Sequence, residues 1–130
     1  MIPANLSHVT LGVDDLHAQR RFYSELWTEK TVLDDYVAYD LGGPTLALFP
    51  RSLLDAEAHV DAGSRGGFTL AVLVGARTGV DAALETARAA GATTWPAEQR
   101  DWGGYSGYFA DPEGNRWEIA WAPPPDQEDQ

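Results

Sequence analysis

Residues 39–49 read YDLGGPTLALF and residues 110–120 read ADPEGNRWEIA, and the second stretch follows the order of the first. Asp40 falls on Asp111, Gly43 on Gly114 and Ala47 on Glu118, while Leu46 and Leu48 fall on Trp117 and Ile119. Each stretch leaves a glycine-containing turn and enters a segment of alternating apolar residues, as a half-buried strand does. Self-similarity in fixed order marks a fold made from two copies of one unit.

The sequence around each copy extends the match. Residues 5–13, NLSHVTLGV, place Leu6, His8 and Thr10 on one side and Val9, Leu11 and Val13 on the other. Asp14 and Asp15 are N-cap residues for a helix over 16–27 with the stripe Leu16, Tyr23, Leu26 and Trp27. Strands follow in TVLDD, YVAYDL and TLALF, with Gly42, Gly43 and Pro44 turning between the last two. In the second half, FTLAVLV at 68–74 predicts a buried strand. Thr78 caps a helix with the stripe Val80, Ala83, Leu84 and Ala87, and Gly91 ends it. Strands are expected at 93–95, 106–110 and 116–121. The predicted fold is α+β: a single domain over residues 1–122, built from two βαβββ modules at 5–50 and 67–122. The linker, 51–66, contains a short helical turn at SLLDAEAH, and 123–130 is a solvated acidic tail. Each module covers one sheet face with its helix and leaves the other bare. Two bare faces around a common hollow predict a cup-shaped mixed sheet with a ligand cleft.

Composition narrows the function. The chain has 130 residues, 44% of them hydrophobic, which suffices for one cored domain. It has no cysteine, so disulfides and thiol chemistry are excluded and any metal needs His and carboxylate ligands. The net charge is −11, with Asp126, Glu128 and Asp129 in the tail, and no basic stripe appears. Such a surface repels phosphate backbones, which argues against nucleic acid as a partner. No apolar stretch approaches the ~20 residues that span a bilayer, and MIPANLSHVT lacks a signal-peptide pattern. The expected location is the cytoplasm.

Two segments carry a family resemblance: HVTLGVDDL with RFYSELW near the start, and WGGYSGYFADPEGNRWEIAW near the end. Over residues 5–122 the chain resembles the vicinal oxygen chelate superfamily of glyoxalase I, extradiol dioxygenases, and fosfomycin- and bleomycin-resistance proteins. In its metal-dependent members, four positions on the first and fourth strands of each module hold one divalent cation. The resemblance puts these on His8, Ala47, Thr69 (Phe68 if the register slips by one) and Glu118. Alanine and phenylalanine cannot ligate, and a threonine hydroxyl is a poor ligand for zinc, iron or nickel. His17, on the first helix, and His59, in the linker, are poorly placed to complete the set. Relatives with this ending also commonly show a His-Asn pair where this chain reads Val72-Leu73. No resident cofactor is expected.

The candidate ligand-binding residues are His8, Phe49, Trp95, Trp102, Tyr105, Tyr108 and Glu118. His8 is either a hydrogen-bonded strand histidine or a ligand contact, and Glu118 either pairs with Arg116 or faces the hollow. Phe49 shares a face with Ala47. Trp102 and Tyr105 flank Gly103-Gly104 in a loop, and their rings, with Trp95 and Tyr108, offer stacking surfaces for a planar ligand. Trp117, Trp121, Tyr23 and Trp27 read as core. The preferred expectation is a homodimer that sequesters an aromatic antibiotic or natural product without chemistry, as bleomycin-resistance proteins do. The alternative is a metal-dependent glyoxalase- or dioxygenase-like enzyme using His8 and Glu118.

Overall fold

The structure is a computed structural model that describes residue 4, residues 6–59, residue 61 and residues 69–124. Asn5, Phe68 and the acidic tail from residue 125 lie outside the described residues, as do 60 and 62–67 of the expected linker. The chain divides into two compact units, Met1–Gly66 and Gly67–Gln130.

The first unit runs β1 (His8–Val13), α1 (Leu16–Leu26), β2 (Glu29–Leu33), β3 (Tyr36–Asp40), β4 (Thr45–Pro50) and α2 (Arg51–Ala58). Its sheet has the order β1-β4-β3-β2, with β1 parallel to β4 and the other pairs antiparallel. A parallel pair needs a crossover between its strands, and α1 supplies the first leg of it. As expected, Asp15 caps α1: its Oδ1 accepts from Ala18 N at 3.0 Å. Leu11, Val13, Val37, Tyr39, Leu46 and Leu48 are buried on the α1 side, with Phe22 and Tyr23. Tyr23 stacks on Trp27 at 6.0 Å.

The other face of this sheet is only partly covered. Gly12 alternates with Leu11 and Val13, so its hydrogen points away from α1. A Cβ there would sit 3.2 Å from Leu54 and 3.3 Å from the Arg51 backbone, and this missing side chain is what lets α2 close in. Arg51 Nε also donates to Asp14 Oδ1 at 2.8 Å. Where a linker with a helical turn was expected, the chain forms an eight-residue helix packed on β1 and β4. On the far edge, Glu29 pairs with Tyr39 but Thr31 pairs with Ala38. Lys30 is therefore the extra residue of a β-bulge.

The second unit runs β5 (Leu70–Leu73), α3 (Arg77–Ala90), β6 (Thr93–Thr94), β7 (Glu98–Gln99), β8 (Tyr105–Ala110) and β9 (Arg116–Trp121). Its order is β5-β9-β8-β6, with β7 also on β8 and β5 parallel to β9. The strand corresponding to β2 is broken into β6 and β7 by Trp95-Pro96-Ala97, because proline has no N–H to extend the ladder. Val80, Leu84 and Ala87 of α3 are buried with Phe109, Trp117 and Ile119. The Phe109 and Trp117 rings stack at 6.0 Å.

Two expectations need correction in this unit. Thr78 does not cap α3: the cap position falls two residues earlier, on Ala76, with no side-chain cap, which puts Thr78 inside the first turn. The described part of the expected strand, residues 69–74, is not buried either. It yields a four-residue edge strand whose Leu73 is 74% exposed, because only its Leu70 and Val72 side turns toward α3. Gly91 ends α3 as expected, at φ 115°.

The internal repeat holds in the strands and slips in the turn. His8 lies beside Thr45 in β4, and continuing the β5–β9 register back one residue sets Thr69 beside Arg116. However, β3 pairs Ala38 with Ala47, while β8 pairs Tyr108 with Glu118. The second turn is thus one residue longer, and the counterpart of Asp40 is Ala110 and not Asp111. Both aspartates still build their turns. Asp40 Oδ1 accepts from Gly42 N, and Asp111 Oδ1 accepts from Glu113 N and Asn115 N. No helix among the described residues is long and apolar enough to cross a membrane.

Candidate functional site

Strand alternation gives each unit an open sheet face opposite its main helix. On the first unit this face carries the exposed His8 and Thr10, the buried Ala38, Thr45 and Ala47, and the half-buried Phe49. His8 is exposed at its edge, with Nδ1 3.3 Å from Ser7 Oγ. Phe49 is half-buried at the other end and meets Tyr36 edge-on at 6.5 Å.

The open face of the second unit carries a row of Ala71, Glu118 and Tyr108 in register. Trp95 continues it, since its N–H donates to the Tyr108 carbonyl at 3.0 Å. Trp95 is 40% exposed, Tyr108 and Glu118 are half-buried, and Ala71 and Ala120 leave the floor low around Glu118. Two guanidiniums flank the row. Arg116 lies over the Trp95 ring at 4.7 Å and donates to the Gly114 carbonyl at 3.0 Å. Arg100 donates to Ser106 Oγ at 2.9 Å and to the Ser106 carbonyl at 3.1 Å, and its guanidinium sits 5.8 Å from the Tyr108 ring. Of the two roles open to Glu118, the ion pair with Arg116 does not form: Arg116 turns to Trp95, and among the described residues no cation pairs with Glu118.

Not every expected aromatic belongs to this face. Tyr105 opens β8 instead of lying in the loop, and its register with Trp121 turns it to α3. Its hydroxyl donates to Asp81 Oδ1 at 2.8 Å, which holds the phenol above its usual pKa, and Arg77 covers its ring at 4.5 Å. Trp102 is 53% exposed but folds back on its own loop: a Cβ on Gly104 would overlap its ring. Gly103, at φ 99°, makes that turn possible.

Arg100 escaped the sequence reading because β7, only two residues long, has no periodicity of its own, and Ser106, inside the expected strand at 106–110, acquires a role only through Arg100. The one available signal was the arginine standing just before the turn that Gly103-Gly104 predicts.

The donor set does not fit a resident divalent metal. The first unit offers the His8 imidazole and, at its other expected position, only the Ala47 methyl, while the second offers the Glu118 carboxylate with Ala71 beside it and Thr69 just ahead of β5. Catalytic sites of this kind need three protein ligands. Among the described residues, no three His, Asp or Glu side chains gather into a metal-holding group.

Comparison with known proteins agrees with this architecture. Residues 5–119 match the family described as the Glyoxalase/Bleomycin resistance protein/Dioxygenase superfamily. A glyoxalase-related enzyme from Fulvimarina pelagi is 36% identical with a TM-score of 0.84, over 93% of this chain and 90% of that one. Lactoylglutathione lyase from Agrobacterium tumefaciens is 22% identical with a TM-score of 0.72, over 92% and 94%. The fosfomycin resistance protein FosX from Mesorhizobium loti is 18% identical with a TM-score of 0.69, over 99% and 100%. The latter two share the fold alone. Among curated proteins, none matches the chain.

Proposed function

The chain belongs to the Glyoxalase/Bleomycin resistance protein/Dioxygenase superfamily, and from that membership we propose that it binds an aromatic small molecule and releases it unchanged. The observation that carries this reading is the row Glu118, Tyr108 and Trp95 on the open face of the second unit. Two rings beside one carboxylate suit a planar ligand with a cationic or hydrogen-bond-donating group. Burial of such a ligand contributes ~25 cal/mol per Å², and a good ring pair adds ~0.5–1.5 kcal/mol. Bleomycin-type and other polycyclic natural products have this character, so sequestration of an antibiotic is the biological form of the proposal. His8, Phe49 and Trp102 remain proposed contacts. Tyr105 does not, since its ring and hydroxyl are engaged at α3. A homodimer in the cytoplasm belongs to the same reading, with the exposed Leu73 edge of β5 as apolar surface to cover.

A metal-dependent glyoxalase- or dioxygenase-like enzyme is the second reading, favoured by the identity to the glyoxalase-related enzyme. One titration separates the two. Bleomycin and a panel of polycyclic natural products are added while tryptophan fluorescence is followed, and the ligand is then recovered for mass spectrometry. Saturable quenching that weakens in Trp95→Phe, with intact ligand, is expected. Conversion of the ligand would refute sequestration.

A further inference from the structure

We propose that Lys30, Thr45 and His8, on the open face of the first unit, form a subsite for an oxyanion: the carboxylate, phosphate or phosphonate group of a small ligand. Lys30 is the single lysine of a sequence that otherwise uses eight arginines. Its placement follows from the bulge. Glu29 points to α1, where Arg20 and Ser24 bind it, whereas Thr31 pairs with Ala38 on the open side. Residues two apart in a regular strand share a face; these do not, and Lys30 is the residue inserted between them. Bulges re-aim side chains, and this one brings the Lys30 ammonium within 3.3 Å of Thr45 Oγ1.

Thr45 stands directly beside His8 in the parallel β1–β4 register, and neighbouring strands are about 4.8 Å apart. An ammonium, a hydroxyl and an imidazole therefore share one sheet face, with His8 and Thr45 on adjacent strands and Lys30 reaching Thr45. The Nδ1 of His8 is directed to Ser7 Oγ, which leaves Nε2 for a ligand. The charge of Lys30 is left without an ion-pair partner, as are those of Arg21, Arg77 and Arg116 among the described residues. Arg20, Arg51, Arg88 and Arg100 each pair with a carboxylate, but no carboxylate lies within ion-pair reach of Lys30 among the described residues. Asp40, which the register sets beside Thr45, has its Oδ1 turned to Gly42 N. An uncompensated ammonium next to a hydroxyl donor, in a chain of net charge −11, is a local site of opposite sign to the protein as a whole. This inference concerns the face of the first unit and stands or falls independently of the aromatic ligand.

The lone lysine makes the test clean. Reductive methylation with 13C-formaldehyde labels only Lys30 and the amino terminus, and it keeps the positive charge. Sodium phenylphosphonate, phosphate and acetate are titrated in turn against sodium chloride of equal ionic strength. The Lys30 methyl resonance is followed there, and the His8 ring protons are followed in unmodified protein. A saturable shift at both groups is expected, and the arms tell a tetrahedral oxyanion from a carboxylate. Lys30→Gln should weaken the response seen at His8 by about tenfold or more, and Lys30→Arg should restore most of it. Shifts no larger than those in chloride, or a His8 response unchanged in Lys30→Gln, would overturn the subsite.

Discussion

Gly104 is buried against the Trp102 ring, and a methyl group there would also stand 2.7 Å from the Trp121 carbonyl. A backbone oxygen cannot yield as a flexible side chain does. Gly104→Ala should therefore cost about 1–3 kcal/mol in denaturant unfolding. Gly43 meets nothing within 4 Å, so Gly43→Ala should change stability by no more than ~0.5 kcal/mol. The two glycines look alike in the sequence, where each is the second of a Gly-Gly pair before a strand. Tyr105 teaches the same lesson. Its neighbour Tyr108 stands three residues on, and in a strand an odd separation puts two rings on opposite faces. That alternation was legible, but only once Tyr105 was known to lie inside β8.

The two main helices begin differently although they play equivalent parts. Asp15 caps α1 through Ala18 N, whereas Ala76 at the start of α3 offers the backbone nothing. Asp15→Ala should lower stability by ~1 kcal/mol, and Ala76→Asp should raise it by ~0.5–1 kcal/mol, both read from the thermal midpoint. Helix α1 is also tied to β2 and β3 by a polar cluster. Arg20 donates to Glu29 at 2.7 and 2.9 Å, Ser24 donates to the same carboxylate at 2.7 Å, and Tyr39 OH lies 2.9 Å from Ser24 Oγ. The Arg20 and Ser24 hydrogen bonds hold the Glu29 carboxyl down at about 2. A depressed carboxyl favours the folded state at neutral pH, and that contribution fades as pH falls from the unfolded value of ~4.3 through about 2. Melting curves of wild type and Glu29→Gln should differ at pH 6 and converge between about pH 4 and pH 2. A constant gap across that range would mean that Glu29 acts through packing and not through its charge.

For the molecule as a whole, the donor arithmetic has a direct consequence. Protein prepared without chelator should carry well under one equivalent of nickel, zinc, iron or manganese. Prolonged EDTA treatment should leave its melting midpoint unchanged, since a tightly held ion would stabilise the fold by mass action. Stoichiometric metal, lost with a falling midpoint, would restore the enzymatic reading. Strand alternation, helix stripes and the repeated turn-and-strand segment determined the order of the elements other than α2 and β7, the β4–β9 equivalence and the side of the sheet on which His8, Ala47 and Glu118 lie. These are local patterns, and each residue carries its own part of them. Only the tertiary structure decided the extra residue in the second turn, the docking of α2 against Gly12, the bulge that aims Lys30 and the guanidiniums that settle on Trp95 and Tyr108. Pairing register and the approach of distant segments depend on which partner a strand finds, and a single strand read alone does not encode its partner.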